Sequence, residues 1–266
     1  MSAPGLIHET MRWAEDSLKR PNRPLVFGAA LSVLGFLATD RFRADGIRPN
    51  LNVLIVAPSP AGKTTALQWA YDLFGLCERR QHPYSGFASR VAFDQTVADG
   101  RAFLWEREHA DMSWPKARAD QYLAHFLSDG SIGNMIATRV PGFFDQDVRR
   151  NKSFRQFAET ALVVANGFGD GPMSPCLLGP TPTIPASLVR ILEWWTRPAG
   201  APVEVPVTDE AEWLFEDATD VWLNALKLAI LYAASGDPEK PVIDRAAAEW
   251  GIAVARHCAW RAPNPQ

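Results

Sequence analysis

The chain has only three cysteines in 266 residues, Cys77, Cys176 and Cys258, with no CxxC pair and no Cys/His ligand spacing. That excludes a disulfide-stapled secreted domain and a zinc module, and fits reduced structural thiols in a cytoplasmic setting. His8, His82, His109, His125 and His257 are isolated from one another and read as structural. The net charge is only -3, so the chain as a whole is no polyanion binder, and any nucleic-acid contact has to come from a local patch. The apolar run Leu25 to Ala38 falls short of the ~20 residues that span a bilayer. Without a basic lead-in or a cleavage site it is no signal peptide either, so it reads as a buried helix with no membrane role. There is no internal repeat and no low-complexity segment. What remains, 47% hydrophobic and 21% charged over this length, is enough for one sizeable core with helical additions.

Residues 5–19 place apolar side chains at helical spacing, and Pro21 and Pro24 close that helix and open the apolar one. After an Arg-rich connector come a strand at Leu51–Val56, a loop at 57–62 and a helix from Lys63 to about Leu76. A short helix closing at Gly100 and a core strand, Arg101–Glu106, follow. Residues 114–160 read as mostly helical, broken at "SDGSIGN" and "VPGFFDQD", and "TALVVAN" fits strand or helix. Gly and Pro make 167–187 mostly loop, with "PCLLGPT" fitting a short strand. "APVEVPV" reads as a strand, and Thr208 as the N-cap of a helix over 209–234 with Asp209 and Glu210 in its first turn. A last helix covers about 243–260. Alternating strands and helices with a helical end predict an α/β core.

The most informative stretch is Ala57-Pro58-Ser59-Pro60-Ala61-Gly62-Lys63-Thr64. It fits the phosphate-binding pattern G-x-x-x-x-G-K-[ST] with Ala in the first Gly position, after an aliphatic strand and before a helix. Nucleotide-binding residues would be Pro58, Ser59, Pro60, Ala61, Gly62, Lys63, Thr64 and Thr65, with the backbone N–H groups of 60–65 wrapping a β-phosphate, although Pro60 lacks that donor. Lys63 would neutralise β- and γ-oxygens, and the Thr64 hydroxyl would sit on Mg²⁺ beside ATP. Hydrolysis also needs an acid at the end of a second strand. Two registers of "RAFLWEREHADM" fit. Glu106 is the metal acid with Arg107 where a catalytic Glu is expected and Glu108 one place further, or Trp105 takes the Asp position and Glu106 becomes the base.

With these motifs the chain resembles the P-loop ATPases of bacterial prophages, plasmids and integrated elements, a primase-helicase-like group often described as a domain of unknown function. The likeness rests on "PLVFGAALSVLGFLATDRF" leading through "RPNLNVLIVAPSPAGKTTAL", on "AFLWERE" in the Walker B place, and on the tail "LNALKLAILYAASGDPEKPVIDRAAAEWGIAVARH". It implies a RecA/AAA-like P-loop NTPase core over 49–204, with an N-terminal helical segment at 1–48 and a C-terminal helical subdomain at 205–266. It further implies ATP binding, homo-oligomers, work on DNA and other replication proteins of the element as partners. The chain departs from the family at the Walker B pair and carries no primase domain.

Thr181 or Thr183 would sense the γ-phosphate, and Arg190 or Arg197 would reach a neighbouring subunit as a finger. Arg149, Arg150, Lys152 and Arg155 gather around Phe154 and Phe157, charges and rings that would track single-stranded DNA. The ten tryptophans fall mainly at helical spacing and read chiefly as core or interface, with "EWW" at 193–195 a candidate subunit contact. Two other functions fit the same loop. One is an ATP-bound switch or adaptor that reads nucleotide without hydrolysing it, and the other is a small-molecule P-loop kinase.

Overall fold

The computed structural model describes residues 5–18, 21–58, 61–77, 103–106, 134–165, 184–196 and 200–260. In chain order the elements are α1 (Gly5–Ser17), α2 (Arg23–Ala38), β1 (Phe42–Arg43), β2 (Asn52–Val56) and α3 (Lys63–Cys77). Next are β3 (Phe103–Glu106), β4 (Asn134–Arg139), α4 (Pro141–Arg150), α5 (Lys152–Thr160) and β5 (Leu162–Ala165). The chain continues through α6 (Ala186–Thr196), β6 (Val203–Glu204), α7 (Asp209–Glu216), α8 (Trp222–Gly236) and α9 (Arg245–Cys258).

The aliphatic run of β2 suits a strand buried on both faces. It pairs in parallel with β4 on one side and β5 on the other, and β3 adds to the far side of β4, giving the order β3-β4-β2-β5. Successive side chains of a strand point to opposite faces, and the packing follows that alternation. Val53, Ile55, Ile136, Leu162 and Val164 join the core under α2. Leu54, Val56, Met135, Ala137 and Val163 pack instead with Phe144, Phe154 and Phe157 of α4 and α5. The result is a mixed α/β fold with a parallel sheet between helical layers. β1 and β6 form a separate two-stranded parallel pair.

The C-terminal helices start side by side. Val207 and Ile243 form a parallel bridge. Immediately after it, Thr208 Oγ1 accepts from Ala211 N–H (3.4 Å) and Asp244 Oδ1 from Ala247 N–H (2.9 Å), capping α7 and α9. α8 is apolar nearly all round and is buried between its neighbours. It meets α9 at Gly251, where an added Cβ would lie 2.4 Å from the Ala225 carbonyl oxygen.

The sequence expectations are corrected at three places. "NMIATR" lies in the stretch expected to be helical but forms β4, a fully buried strand. "PGFFDQD", expected to interrupt a helix, starts α4, because Pro141 sits in the first turn where its missing N–H costs nothing. The single helix expected over 209–234 is two, α7 and α8, separated at 217–221. The expected helix closing at Gly100 and the strand in "PCLLGPT" lie outside the described residues. No helix among the described residues is long and apolar enough to cross a membrane.

The α8–α9 contact can be tested at its glycine, with a glycine of α4 as the control. Gly251→Ala forces the helices apart and should lower the unfolding free energy by about 2 kcal/mol. Gly142→Ala, where a Cβ meets nothing, should be neutral or stabilising by about 0.5 kcal/mol, both read from urea midpoints. Lys227 is half-buried on α8, and desolvation lowers its amine from 10.5 to about 8. The folded state thus disfavours the charged form, and between those two values the unfolded chain binds more protons, so stability rises with pH across that window. Lys227→Met should be more stable than the parent by about 1 kcal/mol at neutral pH, partial exposure reducing the full effect. The gain should shrink toward pH ~10 in urea titrations.

Candidate functional site

β2 leads into the 57–62 loop at the carboxyl edge of the sheet. The Ala57 N–H donates to the Arg139 carbonyl at 3.0 Å, carrying the β2–β4 ladder one residue past the strand. Ala61 N–H turns back to the Pro58 carbonyl at 3.1 Å. Gly62 then adopts φ 86, a left-handed conformation that a side chain would strain. The first bond of α3 is Ala66 N–H to the Gly62 carbonyl at 3.0 Å, so the amides of 62–65 form the positive end of the helix. Ser59 and Pro60 lie outside the described residues.

Asn22 supports the loop from the far side. It stands in the N-cap position of α2 but makes no side-chain cap bond there, and its Nδ2 donates to the Ala61 carbonyl at 3.2 Å. Lys63 is 6% exposed, and its Nζ folds back to donate to the Ala57 carbonyl at 2.6 Å. Thr64 is exposed and Thr65 half-buried in the same first turn.

Glu106 is the last residue of β3 and sits in register with Ala137, which in turn pairs with Leu54. That puts its backbone two strand spacings from β2, about 10 Å, and level with Leu54, two residues short of the carboxyl end of β2. Glu108 lies outside the described residues, as do Thr181, Thr183 and Arg197. Arg190 is exposed on α6, which packs against α3, and no described hydrogen bond or ion pair ties it to the loop.

Two residues at the end of β4 were missed, because that segment read as helix. Thr138 is 4% exposed and lies beside Ile55 on the α2 face of the sheet. Arg139 points to the other face, where its Nη2 pairs with Asp147 Oδ2 of α4 at 3.0 Å, both side chains being 2% exposed. The residue whose carbonyl holds Ala57 is thereby bolted to the helix that follows it.

The basic cluster is the junction of α4 and α5. Arg149, Arg150 and Lys152 are exposed. Arg155 instead closes the end of α4, its Nε donating to the Val148 carbonyl at 3.0 Å and its Nη2 to that of Arg149 at 3.5 Å. Phe154 and Phe157 are 0% exposed, packed in the core beside Phe144, so the expected stacking of bases on these rings is overturned. Trp195 is likewise core, against Phe42 at 5.5 Å, and not a subunit contact. Among the described residues no group of three or more His, Cys, Asp or Glu side chains could hold a metal ion. Burial raises the Cys258 thiol to about 11, which keeps it protonated and inert.

No protein-family model matches the chain, and no curated protein matches it.

The buried ion pair supplies a direct test of how β4 is held. Asp147→Asn leaves the Arg139 charge buried without its carboxylate and should cost about 3 kcal/mol of stability. Replacing both together, Arg139→Met with Asp147→Leu, should return the urea midpoint close to that of the parent.

Proposed function

We propose that the chain is an ATP-binding P-loop NTPase with a RecA/AAA-like core, an ATPase module that acts on DNA in replication or mobilisation of a mobile genetic element. The observation that carries this is the backbone at Gly62. A left-handed glycine passes the chain from the end of a buried strand to a helix whose first residue is Lys63. Such a turn offers amides, a dipole end and an ammonium to one anion. The position also suits a ligand. α3 follows β2 on one face of the sheet, whereas α4 and α5 lie on the other, so β2 ends near a change of side, where open α/β sheets bind ligands.

Each residue then has a role. Lys63 leaves the Ala57 carbonyl and takes up phosphate oxygens, while Asn22 and the Arg139 carbonyl keep the loop in place. The exposed Thr64 hydroxyl and the carboxylate of Glu106 are the protein groups that would hold Mg²⁺, which would neutralise charge on the phosphates. Thr138, at the end of the strand between β2 and β3, is a further polar group at that edge. Homo-oligomerisation, DNA as effector and replication proteins as partners follow from the family resemblance.

A second reading is an ATP-bound switch that does not hydrolyse. It is favoured by the end of β3, where Glu106 is followed directly by Arg107 and not by a second acid.

Calorimetry with MgATP should give a single site, and Lys63→Ala should weaken it about a hundredfold, as loss of a charge-assisted bond implies. Phosphate release stimulated by single-stranded DNA and lost in Glu106→Gln supports the ATPase. Tight binding without turnover supports the switch, and no heat with MgATP sinks both.

A further inference from the structure

α7, "DEAEWLFE", buries Ala211 and Phe215, half-buries Leu214 against the core and turns its other five side chains to solvent. On that outer face Trp213 is 75% exposed, the most exposed large hydrophobic side chain among the described residues. Of the other tryptophans with described burial only Trp222 is also exposed, at 42%, so Trp213 is the largest apolar surface left open among the described residues. It stands in a shallow depression with Glu210, Glu212, Leu214, Glu216 and Arg245. The cations nearby are already engaged: Arg245 Nε with Glu249 at 2.7 Å and Arg256 Nη2 with Asp220 at 3.8 Å. Glu212 and Glu216 make no ion pair among the described residues. An indole face between carboxylates is a socket for a guanidinium or ammonium, which it attracts through the ring and through the acids together. The same acids repel a nucleic acid or an anionic lipid surface.

The chain itself carries the complementary charge. The α4–α5 junction projects Arg149, Arg150 and Lys152 into solvent, with its rings turned inward and therefore unsuited to stacking on bases. No described ion pair joins this junction to α7 within one chain. We propose that the acidic face of α7 around Trp213 docks the α4–α5 junction of a second copy of this chain. In this contact Arg149, Arg150 and Lys152 meet Glu212 and Glu216, and one guanidinium lies on the indole. The surfaces differ, so the contact is head-to-tail and propagates into a ring or a filament. It stands on surface charge and geometry and does not depend on nucleotide, so failure of ATP binding leaves it intact.

Sedimentation of the full chain tests it with charge reversal. Glu212→Arg with Glu216→Arg, and separately Arg149→Glu with Arg150→Glu, should each weaken self-association about tenfold or more at about 0.05 M salt. Trp213→Ala should weaken it less, through lost cation–π and apolar contact. Mixing the two reversed proteins, or combining all four reversals in one chain, should restore much of the association, since the four reversed positions again face opposite charges. Urea midpoints equal to the parent's show that the surface variants fold. A parent chain monomeric at about 100 µM, or association that ignores the reversals, overturns the proposal. So does a monomeric parent whose junction reversal abolishes single-stranded DNA binding, because the junction is then a nucleic-acid contact.

Discussion

The pairing of β2 on both of its edges is the constraint from which the rest of the molecule follows. A strand of branched aliphatics in the interior has no water for its N–H and C=O groups, and β4 and β5 satisfy them from either side. Because both ladders are parallel, each return needs a crossover, and crossovers place helices on the faces of the sheet. α2 and α3 cover one face, and α4 and α5 the other. The carboxyl ends of β2, β3 and β4 consequently share one edge, and the 57–62 loop has nowhere else to open.

How much of this was legible depended on whether the signal was local. The Gly62-Lys63-Thr64 turn, the Thr208 cap and the start of α2 at the 21–24 prolines are set by a few adjacent residues, and each stands where the sequence placed it. β4 was not legible. Its Asn134, Thr138 and Arg139 look like solvent-facing positions, yet all three are buried: Asn134 Oδ1 accepts from Leu51 N–H of a distant segment at 2.7 Å, and Arg139 pairs with Asp147 of the following helix. The break between α7 and α8 has no Gly or Pro to announce it, and it depends on packing of Ala218 and Val221 into the core. Among the tryptophans, helical spacing gave Trp213 and Trp250 the same weight, although one is solvent-facing and the other packs at 5.3 Å on Tyr232.

Net charge was the least informative quantity of all, because the charges are segregated. α7 holds four acids in eight residues, whereas the α4–α5 junction holds three exposed bases within four positions. A total near zero thus conceals two strong local fields, and at distances inside a Debye length of about 10 Å the local fields decide association. The interior cations follow a different logic. Arg139 is matched by a carboxylate and fixed, which suits a residue whose carbonyl positions the loop.

Lys63 differs in the kind of acceptor its ammonium uses, the backbone carbonyl of Ala57 at 2.6 Å. A bond from a charged donor to a neutral carbonyl is worth about 1.5–3 kcal/mol, less than the same donor gains on an anionic oxygen. In the proposed nucleotide site Nζ exchanges this carbonyl for a phosphate oxygen. The Ala57 amide stays on Arg139, Asn22 stays on Ala61, and only the lysine side chain swings. Ala57 and Ala61 are thus already fixed by bonds that an incoming anion need not break, and a backbone anchored before the ligand arrives lowers the ordering cost of binding.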